Sequence, residues 1–154
     1  MPEAADLPHI DEHAALVDAA PGATWEALLR TVESSVSAAN APRLARLLGC
    51  AEVVPGGPRP LAEGSTLPGF SVVLAEEPRA LTLAGSHRFS EYALVFRLDH
   101  LDRGGTRLRA ETRAEFPGLS GQAYKTMVIR TRGHVLVTRR LLEAARRRAE
   151  RAGR

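Results

Sequence analysis

The sequence predicts an α+β fold in which a curved antiparallel sheet wraps around a long C-terminal helix. Strand-like runs follow one another from residue 70 to residue 116, and two helical segments precede them between residues 21 and 48. After Gly121, a run of about 30 residues contains no helix breaker except Gly133, and would form a helix roughly 45 Å long. No other segment is long enough to pair with that helix, so a concave sheet is expected to cover its apolar stripe.

The length and composition indicate one ordinary globular domain. The 154 residues are 44% hydrophobic and 25% charged, as in typical folded domains. We expect a flexible tail over residues 1–11, a single domain over 12–151 and a tail over 152–154. Residues 1–11 lack the apolar run of a signal peptide, so a cytoplasmic location is expected. The arginine-rich composition with a single lysine is typical of a GC-rich bacterial genome.

The N-terminal part is expected to form a strand and two helices. Residues 12–19 predict the first strand, with Ala15 and Val17 on one face. Pro21 suits the first turn of a helix, and apolar residues follow it at helical spacing: Trp25, Leu28, Leu29 and Val32. A second helical segment is expected over 36–48, interrupted near 40–42, with Gly49 as its stop.

Four strands are expected after a loop at 55–69, which is rich in proline and glycine and holds at most one short strand near 64–67. They cover 70–77, 79–87, 90–99 and 106–116, with turn signals at Glu77–Pro78 and at 102–105. The last strand alternates regularly, which predicts one buried face and one solvated, charged face. The side chains expected on its buried face are Leu108, Ala110, Thr112, Ala114 and Phe116.

The long helix is expected to begin near Ser120, which can cap its first turn, and to end near Arg151. A mainly apolar stripe follows a seven-residue repeat along it, with alternating spacings of four and three residues. Its members are Tyr124, Val128, Thr131, Val135, Thr138, Leu142 and Ala145. His134 flanks this stripe. Gly133 costs about 1 kcal/mol in mid-helix relative to alanine. Close approach to the sheet, room for a ligand, or a defect without function would each explain it.

Three segments of the chain resemble the SRPBCC superfamily, which includes START-like lipid carriers, polyketide cyclase/dehydrase-type proteins and relatives of the birch pollen allergen. The segments are DEHAALVDAAPGATWEALL, GSHRFSEYALVFRLDHLDRGGTRLRAETRAEFPG and YKTMVIRTRGHVLVTRRLLEAARRRAE. The resemblance covers about residues 12–150, nearly the whole chain, and implies the helix-grip fold, with a deep apolar cavity between the sheet and the long helix. Ligands of such cavities are usually hydrophobic, and some members are enzymes that use one or two polar groups inside the cavity.

Strand and helix parity predicts which side chains would face this cavity and bind its ligand. The expected ligand-binding residues are Leu81, Leu83, His87, Tyr92, Phe96, Leu108, Thr112, Tyr124, Val128 and Thr131. Ligand cavities are mostly apolar with a few placed polar groups, which fits this composition. The same residues would also fill a solid core, and periodicity alone does not separate the two arrangements.

His87, Tyr92 and Tyr124 are the candidate catalytic residues if the cavity belongs to an enzyme, although no motif marks an enzymatic branch. His87 shares the parity of Leu81 and Leu83, and an imidazole titrates close enough to neutral pH to serve as a general acid or base. A structural or rim histidine is the alternative for His87, and also for His134.

Several other site classes are not supported by the sequence. Cys50 is the only cysteine, and His100 lies between Asp99 and Asp102 at a hairpin tip where a solvated turn is expected, so no metal is expected. Glycine-rich phosphate motifs and a nucleophile elbow are absent, so no nucleotide cofactor is expected. The sequence contains no run of 18 apolar residues, so no membrane span is expected.

The C-terminal residues are strongly basic, with seven arginines and two glutamates over 139–154. Such a cluster could contact nucleic acid or anionic lipid. A solvated face of a half-buried helix also explains it, so no specific nucleic-acid partner is expected.

The leading interpretation is therefore a carrier or sensor of a hydrophobic small molecule. One alternative is a polyketide cyclase/dehydrase-type enzyme that uses the same cavity. The other is a protein-interaction module with a filled core, which could act through the arginine-rich helix or as a homodimer.

Overall fold

The computed structural model of the protein describes residues 3–36 and 41–154, without the side chains of residues 128–131 and 133. A short 3-10 turn at Ala4–Asp6 precedes ten elements in the order expected from the sequence. These are β1 (His9–Val17), α1 (Pro21–Val36), α2 (Ala41–Leu48), β2 (Thr66–Leu67), β3 (Phe70–Glu76), β4 (Ala80–His87), β5 (Ser90–His100), β6 (Thr106–Glu115), α3 (Gly118–Thr131) and α4 (Gly133–Ala152). Of the interruption expected at 40–42, residue 40 lies outside the described residues, and α2 begins at Ala41.

The six strands form one antiparallel sheet in the order β1-β6-β5-β4-β3-β2. The strands β2 to β6 each lie beside the next one in the chain, and the first strand, β1, forms the edge of the sheet beside β6. Leu108 of β6 lies opposite Ala15 on one side and Leu98 on the other, so the apolar faces of the three strands coincide. The expected α+β, helix-grip architecture is confirmed.

The solid part of the core lies between the concave face of the sheet and the packed pair of α1 and α4. The apolar stripe expected on α1 is buried here, with Trp25 3% exposed. Its partners include fully buried side chains from the middle strands and small residues of α4, namely Leu81, Phe96, Leu108, Ala145 and Ala149. The alanines of α4 let the helix approach α1 and β1 closely, so this half of the sheet is filled.

The N-terminal strand begins earlier than the sequence indicates. Residues 9–11, expected to belong to a flexible tail, pair with β6, and His9 lies opposite Arg113. The preceding residues are also held, because Arg113 donates hydrogen bonds to the carbonyl oxygens of Ala5 and Leu7 at 2.8 and 3.0 Å. Leu7 is buried against the sheet. Alternation fades here because a bulge shifts the register between His9 and Asp11.

The expected continuous C-terminal helix is wrong, because the chain forms two helices. Arg132 separates α3 from α4 with a left-handed backbone, φ 50° and ψ 22°. The break lies next to Gly133, the one helix breaker in the run. After this break, α4 packs along α1 and β1.

The charged face of β6 is solvated except at Glu111, which is 5% exposed. This carboxylate accepts from Nδ1 of His9 at 2.9 Å and forms ion pairs with Arg97 at 2.8 Å and Arg113 at 2.7 Å. Burial by itself would raise the pKa of Glu111, but the hydrogen bonds from His9 and Arg97 and the charges of Arg113 and Arg97 outweigh it and lower the pKa to about 2. The expectation that every outer charge is solvated is therefore wrong at this position.

Candidate functional site: an apolar cavity

A cavity of about 480 Å³ lies between the other half of the concave sheet and the helices α2, α3 and α4. Its walls are mostly carbon. The sheet contributes Leu83, Leu94, Thr112 and Ala114; α2 contributes Ala41, Leu44, Ala45 and Leu48; the C-terminal helices contribute Tyr124, Val137, Thr138 and Leu141. This volume lies within the range of small-molecule pockets, roughly 300–1,000 Å³.

The structure brings together half of the residues expected to bind the ligand. Leu83, His87, Tyr92, Thr112 and Tyr124 line the cavity. By contrast, Leu81, Phe96 and Leu108 do not line it, because they are fully buried in the solid core beside α1. Parity assigns a residue to a face of the strand but does not say which half of the strand faces an opening. The side chains of Val128 and Thr131 lie outside the described residues.

One end of the cavity is aromatic. Both tyrosines and three of the four phenylalanines of the chain gather there with His87. The ring of Tyr124 stacks on Phe89, with centroids 5.4 Å apart and planes inclined by 20°, and the His87 ring meets Tyr124 edge-on at 5.0 Å. Because aromatic residues are only 5% of the chain, their concentration at this end gives the cavity a distinct face.

The neutral form of His87 has a defined tautomer. The backbone N–H of Phe89 donates to Nδ1 of His87 at 3.1 Å, so the ring proton of the neutral form lies on Nε2. Among the described residues, no group accepts a hydrogen bond from that Nε2–H. Burial lowers the pKa of His87 below its usual 6.5, so the ring is uncharged at neutral pH and offers one N–H donor.

Tyr92 is held by the backbone of the loop before β3. Its hydroxyl donates to the carbonyl oxygen of Gly69 at 2.6 Å and lies 3.9 Å from Sγ of Cys50. Burial and the neighbouring Cys50 thiol raise the pKa of Tyr92 well above its usual value. Burial and Cys50 also raise the pKa of Tyr124. Neither hydroxyl ionises near neutral pH, so each tyrosine can offer a hydrogen-bond donor and neither can serve as a phenolate base.

Sequence reasoning missed the wall formed by α2 and its neighbours. Leu44 and Leu48 of α2, together with Cys50 and Gly69, line the cavity opposite the sheet. The signal that indicates α2 is the spacing of its leucines by three and four residues. No comparable signal indicates Cys50 or Gly69, since their positions depend on how the proline-rich loop folds back onto β3 and β4.

His134 borders the cavity at the seam between α4 and β1. Its Nε2 lies 3.0 Å from Oδ2 of Asp11, and Nε2 of His13 lies 3.3 Å from the same oxygen. Nδ1 of His134 and Oδ1 of Asp11 are buried, and neither has a hydrogen-bond partner in the described part of the chain. The contact between His134 and Asp11 links α4 to β1 at the rim of the cavity. Residues 3–36 and 41–154 nevertheless include no set of three histidine, cysteine or acidic side chains arranged to hold a metal ion.

Comparison with known proteins finds similar structures but no similar sequence. No family model matches the chain, and no curated protein matches its sequence. The structure is similar to protein SA2116 of unknown function from Staphylococcus aureus, with a TM-score of 0.60, 11% identity, and coverage of 97% of this chain and 98% of that one. It is also similar to the Aha1 dimer from Colwellia psychrerythraea, with a TM-score of 0.52, 14% identity, and coverage of 88% and 94%.

A third similar structure, Ara h 8.0201, has a TM-score of 0.50, 11% identity, and coverage of 90% of this chain and 95% of that chain. Ara h 8.0201 and the Aha1 protein are helix-grip members of the SRPBCC superfamily. At these identities the likeness establishes the fold, which agrees with the superfamily resemblance of the sequence, and leaves the ligand to be inferred from the cavity.

Proposed function

We propose that this helix-grip protein binds a hydrophobic small molecule in its cavity and acts as a carrier or sensor of it. The observation that supports this proposal is the cavity of about 480 Å³ with mostly apolar walls, beside the buried core cluster between the sheet, α1 and α4. Protein interiors are normally close-packed, and an unfilled apolar space of this size costs stability. A ligand that fills the cavity offsets this cost.

The two ends of the cavity favour a ligand with an apolar body and one hydrogen-bond acceptor. The leucines of α2 and Leu83 offer only aliphatic contacts. The aromatic end offers flat ring surfaces and the Nε2–H of neutral His87, which has no acceptor within the described part of the chain. A carbonyl, ether or hydroxyl oxygen on the ligand would accept from that N–H, while rings or chains of the ligand occupy the rest.

Native mass spectrometry of the gently purified protein tests this proposal, together with binding of an apolar fluorescent probe. We expect a stoichiometric apolar adduct or tight probe binding in the natural sequence. Thr112→Trp should abolish both, because residue 112 points from β6 into the cavity. Arg107→Trp is the matched control, since Arg107 lies exposed on the opposite face of the same strand. Probe binding that survives in Thr112→Trp, or is absent from the natural sequence, would reject the cavity as the binding site.

The second candidate function is that of a cyclase/dehydrase-type enzyme, and the position of His87 in the cavity supports it. The ring presents a proton donor inside an apolar cavity, with the Tyr124 ring 5.0 Å away. An enolising carbonyl substrate would be polarised by such a donor. His87→Asn keeps an acceptor for the Phe89 N–H but removes the titratable ring. Turnover of an aromatic polyketide or related substrate, lost in this variant, would distinguish the enzyme from a carrier.

The third interpretation, an interaction module, would be favoured by a filled core. The open cavity instead supports ligand binding.

A further inference from the structure

The mouth of the cavity is bordered by exposed aliphatic side chains on two helices. Leu44 of α2 and Val137 of α4 both line the cavity, yet they are 57% and 64% exposed. Beside them, Leu47 of α2 is 72% exposed and Leu136 of α4 is 51% exposed. Single exposed leucines are ordinary in folded proteins. Four such side chains around one opening mark a surface that meets another apolar phase.

The segments that carry these side chains are basic throughout. Residues 34–51 and 118–142 together contain seven arginine and lysine residues and no aspartate or glutamate, although the net charge of the whole chain is only +3. Arg43 and Arg46 are exposed beside the leucines of α2, and Arg139 and Arg140 are exposed on α4. Within residues 3–36 and 41–154, none of these four arginines forms an ion pair.

We propose that the mouth of the cavity is a docking surface for an anionic phospholipid bilayer. Leu47 and Leu136 enter the boundary between headgroups and acyl chains, and the arginines beside them contact anionic headgroups. The docking is peripheral, because no described helix has the length and apolar character to cross a bilayer.

The unpaired arginines favour a bilayer over a second copy of the chain as the occupant of this surface. In a two-fold dimer the same patch meets itself. Arg43 and Arg46 would then face their own copies, and neither helix segment at the mouth supplies a carboxylate between them. An anionic bilayer supplies the missing negative charge and an apolar phase for the leucines at once.

Vesicle flotation of the full chain tests this docking. We expect binding to vesicles of phosphatidylcholine with phosphatidylglycerol, weaker binding to phosphatidylcholine alone, and loss of binding at high salt. Arg43→Glu/Arg46→Glu should lower the partition coefficient by at least about 25-fold, since each cation near the surface contributes about fivefold. Leu47→Ser/Leu136→Ser should lower it by at least about tenfold through lost apolar burial. These residues do not line the cavity, so probe binding in solution should be unchanged.

Matched pairs on the far side of the sheet serve as controls. Leu16→Ser/Val73→Ser removes two exposed aliphatic side chains, and Arg103→Glu/Arg107→Glu makes the same change of charge away from the mouth. Both should bind vesicles like the natural sequence.

The proposal is overturned if the natural chain stays with the aqueous fraction at low salt, or if the control pairs lose binding as strongly as the mouth variants. It is also overturned if light scattering shows a dimer that Leu47→Ser/Leu136→Ser returns to a monomer, because the occupant is then a second copy. Flotation needs no cavity ligand, so its failure is separate from failure of the ligand-binding proposal.

Discussion

The backbone N–H of Phe89 donates to Nδ1 of His87 across 3.1 Å, and this contact determines how the ring can respond to pH. A proton added to the neutral ring would go to Nδ1, which must then give up its hydrogen bond. The resulting charge would also lie in a partly buried site, and burial lowers the pKa of the ring. His87 therefore resists protonation in the folded protein.

We expect His87 to make the folded protein less stable as the pH falls below about 6.5, the ordinary pKa of histidine. Its pKa is lowered in the folded state, so between the two pKa values the unfolded chain binds a proton that the folded chain does not. The free energy of unfolding then decreases as the pH falls through that window. Urea unfolding at pH 7 and pH 5 should show a smaller pH dependence for His87→Asn. His100→Asn, at the exposed end of β5, serves as the control, and an equal pH dependence in all three proteins would contradict the prediction.

Glu111→Gln should destabilise the protein on the order of 2 kcal/mol at pH 7. The folded-state pKa of this buried carboxyl is lowered to about 2 by its contacts with His9, Arg97 and Arg113. The stabilisation is present above the ordinary pKa near 4.5 and is lost as the pH falls towards 2. Unfolding by urea, repeated from pH 7 down to pH 3, should therefore show less acid sensitivity in Glu111→Gln. Glu115→Gln, exposed at the end of the same strand, should behave like the natural protein.

Gly85→Ala should destabilise the sheet by roughly 1–3 kcal/mol. A Cβ at residue 85 would collide with the carbonyl oxygen of Gly69 and lie 2.7 Å from Cε2 of Tyr92. The Tyr92 ring would have to move, and its hydrogen bond to Gly69 would weaken. Thermal unfolding and probe binding should both change. Gly22→Ala is the control, because its Cβ would meet nothing within 4 Å; equal stability of the two variants would contradict the predicted collision.

Arg132→Asn should raise the free energy of unfolding by about 0.5–1 kcal/mol, because asparagine adopts a left-handed backbone more easily than arginine. Arg132→Ile should lower it by about 1 kcal/mol, since a β-branched residue is strained at φ 50°. Circular dichroism during thermal unfolding measures both changes. If the two variants had equal stability, α3 and α4 would not be separated by a left-handed residue in solution.

The strands of the sheet were predictable because one face is buried and the other is wet. In β6, each inward residue from Leu108 to Ala114 alternates with a charged one, and the structure keeps that alternation except at Glu111, which is buried. The helix α1 was predictable for the same reason, since Trp25 and Val32 recur at helical spacing and are buried. These periodicities record which side of an element is apolar, and the fold follows from them.

The remaining features depend on contacts distant in sequence. The burial of Glu111 requires Arg97 on the neighbouring strand and His9 at the other end of the sheet. The cavity exists because α4 packs closely on α1 while α2 lies apart. Whether Phe96 or Tyr92 faces that space depends on where along β5 the helices separate, although both residues share the same parity. The local sequence pattern does not indicate how these helices pack against the sheet.

The position of Trp25, away from the cavity, gives this protein separate spectroscopic signals for unfolding and for ligand binding. The single tryptophan is buried in the solid core and does not line the cavity, whereas both tyrosines do. Tryptophan emission therefore reports chain unfolding, and the tyrosine absorption bands report occupancy of the cavity. One sample can thus be followed at two wavelengths, so that melting of the fold and release of a bound molecule are resolved as separate events.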